Sequence, residues 1–219
     1  MLKIYGIDLS SPVNKVRFVA NALGLSYEFV RVNIMAGETQ TESYLKMHPA
    51  GKIPVIDDDG FILFESTAIA KYLIAKNNSD LYPSELKAIA LEDQWIDFGS
   101  FHIGTAMTRV TFNRVLAPII NAPVDTQSLK DGLAFLDRFL PIVETQLSKN
   151  KFLTGEKMSL ADINLLSILD PAEAGDVNLS GYQNLTKWRE NLMSQEFYTK
   201  CHKSFTDVLQ AMKASLQKT

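Results

Sequence analysis

Ser10 and Ser11 stand directly before Pro12, where a short apolar run gives way to a helical pattern. A serine ahead of a first-turn proline caps the helix by accepting from its free N–H groups. The other task open to such a hydroxyl is to hydrogen-bond a group held at the positive end of the helix. Spacing alone does not choose between them. Glu65-Ser66 begins a later helical pattern, where Ser66 suits an N-cap, a position that also presents the donors an anion needs. Between these pairs lies Lys52-Ile53-Pro54, an exposed-type cation followed by the one kind of bond that adopts the cis form with any frequency.

Other chemistries have little to work with. The chain has one cysteine, Cys201, and three histidines, so an internal disulfide and a cysteine-pair redox centre are excluded and a multi-ligand metal site is not expected. Cys201-His202 has no partner motif and reads as incidental. His102, beside Phe101 and Ile103, reads as structural. Asp57, Asp58 and Asp59 fall on a tight turn, where side chains diverge, and are expected to be solvated rather than to hold a metal.

These groups need elements to position them. The 219 residues are 46% hydrophobic and 21% charged with a net charge of -3, a globular composition with no electrostatic call for nucleic acid or an anionic membrane surface. No stretch is apolar for the ~18 residues of a membrane span, and the opening residues lack the apolar run of a signal peptide, so a cytoplasmic chain is expected. Leu2 to Ile7 suits a buried strand. Val13, Val16, Ala20 and Leu23 recur at helical spacing, with Gly24 placed for a left-handed stop. Tyr27 to Val32 follows as a strand, Glu42 to Met47 as a short helix ending before Pro49, and Val55 to Phe64 as a hairpin turning at Asp59-Gly60. A helix over Ser66 to Lys76 completes β-α-β-α-β-β-α. Asn77 to Pro83 is polar and linker-like. Helical patterns follow from Ile89 to Phe101, from Leu129 to Leu147, and from Leu160 to Leu169, the last apolar enough to require burial.

Taken together, Tyr5-Gly6-Ile7-Asp8-Leu9-Ser10-Ser11-Pro12, His48-Pro49-Ala50-Gly51-Lys52-Ile53-Pro54, Phe64 to Leu73 and Ser159-Leu160-Ala161-Asp162 resemble, in order and spacing, the serine-type cytosolic glutathione transferases of the theta, delta and phi classes. The resemblance implies an α/β thioredoxin-like N-terminal domain over residues 1–77 and an all-α C-terminal domain over 84–219. It implies an enzyme that ionises bound glutathione for attack on small apolar electrophiles, with glutathione as co-substrate and no metal. Ser10 falls where these classes keep the serine that activates the thiol, with Ser11 as the fallback. Ile53-Pro54 matches the bend whose backbone pairs with the cysteinyl part, Lys52 the contact to the glycine carboxylate, and Glu65-Ser66 the pair holding the γ-glutamyl end.

The resemblance further implies a homodimer, with the helix near Asp93 and Trp95 at its interface, and an electrophile pocket between the thiol and the first long helices of the second domain, drawing on Phe101, Gly104, Met107, Thr108 and Pro118. Ser159 to Asp162 matches a capping box and belongs to folding. The chain departs from the pattern at Thr39 and Gln40, where a histidine and often a lysine help to hold the glycine carboxylate, and at Val13, where many relatives have cysteine. Peroxide reduction and dehalogenation are open to the same thiolate. The rival from another class is a non-catalytic binding or interaction module of the same fold, against which Ser10, Ile53-Pro54 and Glu65-Ser66 all stand.

Overall fold

The computed structural model describes residues 1–209, which pack as two units: Met1–Tyr82 with Gln195–His202, and Pro83–Ser194 with the residues from Lys203 on. In the first unit, β1 (Leu2–Gly6) runs parallel to β2 (Tyr27–Arg31) and antiparallel to β3 (Val55–Asp58), which pairs with β4 (Phe61–Phe64), giving the order β2-β1-β3-β4. Helices α1 (Ser11–Ala22), α2 (Glu42–Met47) and α3 (Ser66–Lys76) alternate with the strands. This is the mixed sheet of a thioredoxin-like domain.

The local signals act as their chemistry demands. Past the end of α1, Gly24 takes φ +68°, its N–H bonds Asn21 O and the Leu25 N–H bonds Ala20 O, the paired closure that satisfies the last carbonyls of a helix. Asp59 and Gly60 both have positive φ, the geometry of a two-residue hairpin turn matched to strand twist. Asp58 departs from the expected solvated turn. It is buried, accepts from Tyr72 Oη at 2.7 Å and pairs with Lys76; these two bonds, the lysine's first, hold its carboxyl below the usual range.

Gln195–His202 carries the short helix α10 (Glu196–Thr199) and packs on α1. Phe18 meets the rings of Phe197 and Tyr198 at 6.0 and 5.0 Å, and Asn21 Nδ2 donates to Phe197 O. Cys201-His202 is therefore not incidental: Cys201 is buried beside Arg17 and Tyr27, and His202 stacks on Tyr198 at 4.2 Å. Aromatic burial anchors this segment, and no regular pattern announces it.

The second unit is helical: α4 (Leu86–Asp97), α5 (Thr105–Thr111), α6 (Ala117–Ile119), α7 (Thr126–Leu147), α8 (Leu160–Leu169) and α9 (Gln183–Met193). The chain between α4 and α5 does not break but widens into a π-helical stretch over Phe98–Gly104. Asn164 of α8 explains it, donating Nδ2 to Ile96 O at 3.1 Å and to Ser100 Oγ at 3.2 Å, so that a carbonyl freed from the α ladder still has a partner. No helix among the described residues is long and apolar enough to cross a membrane.

The buried α8 starts at a dense polar knot. Ser159 N–H and Oγ both donate to Asp162 Oδ2, and Asp162 Oδ1 takes bonds from Leu153 N–H and Trp188 Nε1. Glu92 of α4 joins it, accepting from Ala161 N–H at 2.6 Å and from Thr154 Oγ1 at 2.9 Å. Burial pushes both carboxyls upward against these hydrogen bonds.

Candidate active site

The sheet register gathers the sequence candidates of the first unit at one end. Tyr5 pairs with Val55, and Val55 with Phe64. One residue beyond Tyr5 the chain leaves β1 for the Ser10 loop. Immediately before Val55 come Ile53 and Pro54, and immediately after Phe64 come Glu65 and Ser66. Three separate stretches of sequence thus emerge side by side because adjacent strands bring their ends into one row.

Ser10 is the N-cap of α1, with φ -112° and ψ 111°. Its Oγ accepts from Val13 N–H at 3.5 Å, a long and weak cap bond. Accepting leaves the hydroxyl proton uncommitted among the described residues, and no acidic side chain in the first turn offsets the positive end of the helix. Gly6 lets α1 approach β1: a Cβ there would lie 2.5 Å from the Val13 side chain. Asp8 braces the loop, its carbonyl accepting from Asn14 Nδ2 and its carboxylate from Arg17 at 3.0 Å and Arg31 at 2.8 Å. Burial pushes the Asp8 carboxyl up, and Arg31 and Arg17 together outweigh it and hold the group below its ordinary value. Spacing alone does not reveal the bracing role of Asp8, because Arg17 and Arg31 reach its carboxylate only in the folded chain.

The Ile53-Pro54 bond is cis. Ile53 packs against Val32, Tyr44 and Val55, while Lys52 points its side chain to solvent. Tyr44 Oη donates to Lys52 O at 2.9 Å, and burial pushes its pKa up to about 12, so it remains a donor throughout the neutral range. No bond engages the Ile53 N–H or C=O among the described residues, which leaves both for an extended ligand. Gly51, at φ +60°, lies against the Thr39-Gln40 turn; a Cβ there would meet Gln40 Nε2 at 2.4 Å and Thr39 O at 2.9 Å. Thr39 and Gln40, two of the departures from the family pattern, therefore sit beside the loop that carries Lys52. Thr39 is buried and Gln40 exposed.

Glu65 has φ +71° and ψ 109°, which for a residue with a Cβ costs on the order of 1–3 kcal/mol and is found where surrounding structure enforces it. Its side chain caps nothing. Its carbonyl accepts from Ile69 N–H, starting α3 and leaving the first N–H groups of that helix without intrahelical partners. Lys15 of α1, buried, reaches Thr67 at the same helix start.

In the helical unit the candidates divide. Phe101 is 69% exposed, and Thr108 and Pro118 are also on the surface. Pro118 lines a cavity of about 220 Å³ with Arg114, Val115, Ile119, Ala174, Thr206 and Leu209. Gly104 serves packing, with Gly99 O only 3.3 Å from where a Cβ would sit. Met107 is a correction: at 2% exposure it cannot touch a substrate. It belongs to the core stripe Ile103, Ala106, Met107 and Val110, whose spacing was readable in the sequence. His102 packs with Phe98 and Phe139 at 5.2 and 4.9 Å.

Residues 1–75 match the model of the glutathione S-transferase N-terminal domain and residues 107–196 that of the C-terminal domain. Glutathione S-transferase 3 of Zea mays is 32% identical over 166 residues, 74% of each chain. The chain belongs to the glutathione S-transferase family. Theta-3 of Mus musculus is 27% identical over 199 residues, covering 89% of this chain and 83% of its own. Among solved structures, glutathione S-transferase I from maize in complex with an atrazine–glutathione conjugate superposes with a TM-score of 0.84 at 28% identity, covering 91% of this chain and 95% of that one. The cis-proline bend and the Glu65-Ser66 turn both lie within the stretch that matches the N-terminal domain model.

Proposed function

We propose that this glutathione transferase binds glutathione at the shared sheet end of its first unit, where the Ser10 hydroxyl donates a hydrogen bond to the sulfur and holds it as thiolate. Support comes from the weak cap bond at Ser10, which leaves a donor at the positive end of α1. A free thiol has a pKa near 8.5; a hydrogen bond to a charged group contributes about 1.5–3 kcal/mol, which corresponds to a fall of about one to two pKa units. The thiol proton leaves to solvent, and the thiolate forms a carbon–sulfur bond with an apolar electrophile, which either expels its leaving group or takes up a proton. No metal takes part in this scheme.

The cysteinyl part lies along Ile53, whose N–H and C=O are open; the glycine carboxylate meets Lys52; and the γ-glutamyl end meets Ser66 through its carboxylate and Glu65 through its ammonium group. The enzyme works in the cytoplasm as a homodimer. Leu91 and Ile142, 54% and 46% exposed, and a groove of about 390 Å³ lined by Trp95, Pro141, Ile142 and Thr145 support an interface on α4 and α7. Sedimentation of the wild type and of Leu91→Asp tests the dimer.

Conjugation of glutathione to 1-chloro-2,4-dinitrobenzene tests the assignment at Ser10. Turnover should fall sharply in Ser10→Ala and stay within about twofold of wild type in Ser11→Ala. The reverse pattern moves the role to Ser11, and absence of turnover in wild type leaves a binding module.

A further inference from the structure

Lys15 lies in the second turn of α1, is only 6% exposed, and donates from Nζ to Thr67 Oγ1 at 2.8 Å. Thr67 is the second residue of α3, next to Ser66. Burial pulls the lysine pKa down to about 8 while the nearby Glu65 charge pulls the other way, so most of the ammonium remains ionised at pH 7. An unbranched apolar side chain such as methionine would fill the slot between α1 and α3 without desolvating a charge, so packing alone does not call for lysine. A cation there does two further things. It adds to the positive potential of the α3 start, where the first N–H groups lack intrahelical partners. By donating to Thr67 Oγ1 it also fixes that oxygen, and the threonine keeps its own proton as a donor.

We propose that Lys15 is a positioning residue for the γ-glutamyl carboxylate of glutathione, acting through Thr67 and the N-terminus of α3 from beneath the site. This inference rests on the glutathione assignment above and assigns a role to a residue behind the binding surface. It differs from a plain α1–α3 tether in one respect: its effect depends on the charge at one end of the ligand.

The test compares binding of glutathione with that of 4-aminobutanoyl-cysteinyl-glycine, the same molecule without the γ-glutamyl carboxylate, by calorimetry on the full chain. Lys15→Met should weaken glutathione about tenfold and the decarboxylated analogue less than twofold, in line with loss of one partly screened charge at the site. Lys15→Arg should recover most of the difference. Equal weakening of both ligands, or no weakening of either, overturns the inference and leaves a tether. Should Lys15→Met fail to fold, Thr67→Val decides: about a threefold loss confined to glutathione supports the proposal, and an equal loss for both ligands or none refutes it. Ser66→Ala guards the underlying assignment. If it leaves glutathione binding intact, or if wild type does not bind glutathione, the site assignment itself fails, and the Lys15 inference with it.

Discussion

Helices α1 and α8 each begin at a serine cap, and these two caps are built for opposite ends. At α8, Ser159 is buried and its hydroxyl proton is spent on Asp162, whose carboxylate also takes Ser159 N–H, Leu153 N–H and Trp188 Nε1, while Glu92 satisfies Ala161 N–H. At α1, Ser10 is half-buried, its cap bond is 3.5 Å long, no acid neutralises the first turn, and its proton has no partner among the described residues. A cap that satisfies every group is worth stability and can offer nothing to a ligand. A cap left incomplete gives up a fraction of that stability and keeps a donor at the positive end of a helix.

The largest test of this contrast is Asp162→Ala, which orphans buried donors around α8 and should cost about 3–5 kcal/mol in chemical denaturation, with turnover per folded molecule retained. A cost under about 1 kcal/mol would show that the α8 knot is not what holds that helix. Ser10→Ala should do the opposite: turnover falls roughly 10- to 100-fold, the equivalent of about 1.5–3 kcal/mol, while stability changes by less than about 1 kcal/mol because the bond removed is weak.

Asp8→Asn sharpens the comparison from the side of the loop that carries Ser10. It should cost about 1–2 kcal/mol at pH 7 through loss of the Arg17 and Arg31 pairings. Because the folded Asp8 carboxyl is held below its unfolded value, its contribution is present above about pH 4 and is lost as pH falls through the folded pKa, so the wild-type and Asn stability curves should converge in acid. A difference that persists unchanged to low pH would exclude the ion pairs as its source.

Much of this was legible because local chemistry carried it. Gly24, Asp59-Gly60, Pro12 and the Ser159 to Asp162 pair each specify a turn or helix end through bonds within a few residues, and the strand patterns that set the sheet register also place Ile53-Pro54 and Glu65-Ser66. Lys15, Asp8, Tyr44, Glu92 and Asn164 were invisible because each is defined by a partner across a fold not yet formed: Lys15 and Thr67 are 52 positions apart, Glu92 and Ala161 69. The π-helical stretch depends on Asn164 in the same way, and Gln195–His202 on Phe18. Met107 was the avoidable case, since its core spacing lay in plain view.

The account turns on whether Ser10 holds a thiolate, and ultraviolet absorbance of bound glutathione across pH measures that directly. Wild type should show the thiol ionising about one to two units below the free value near 8.5, and Ser10→Ala should return it close to that value. Bound glutathione that titrates near 8.5 in wild type, or a lowered value that survives in Ser10→Ala, would contradict the assignment.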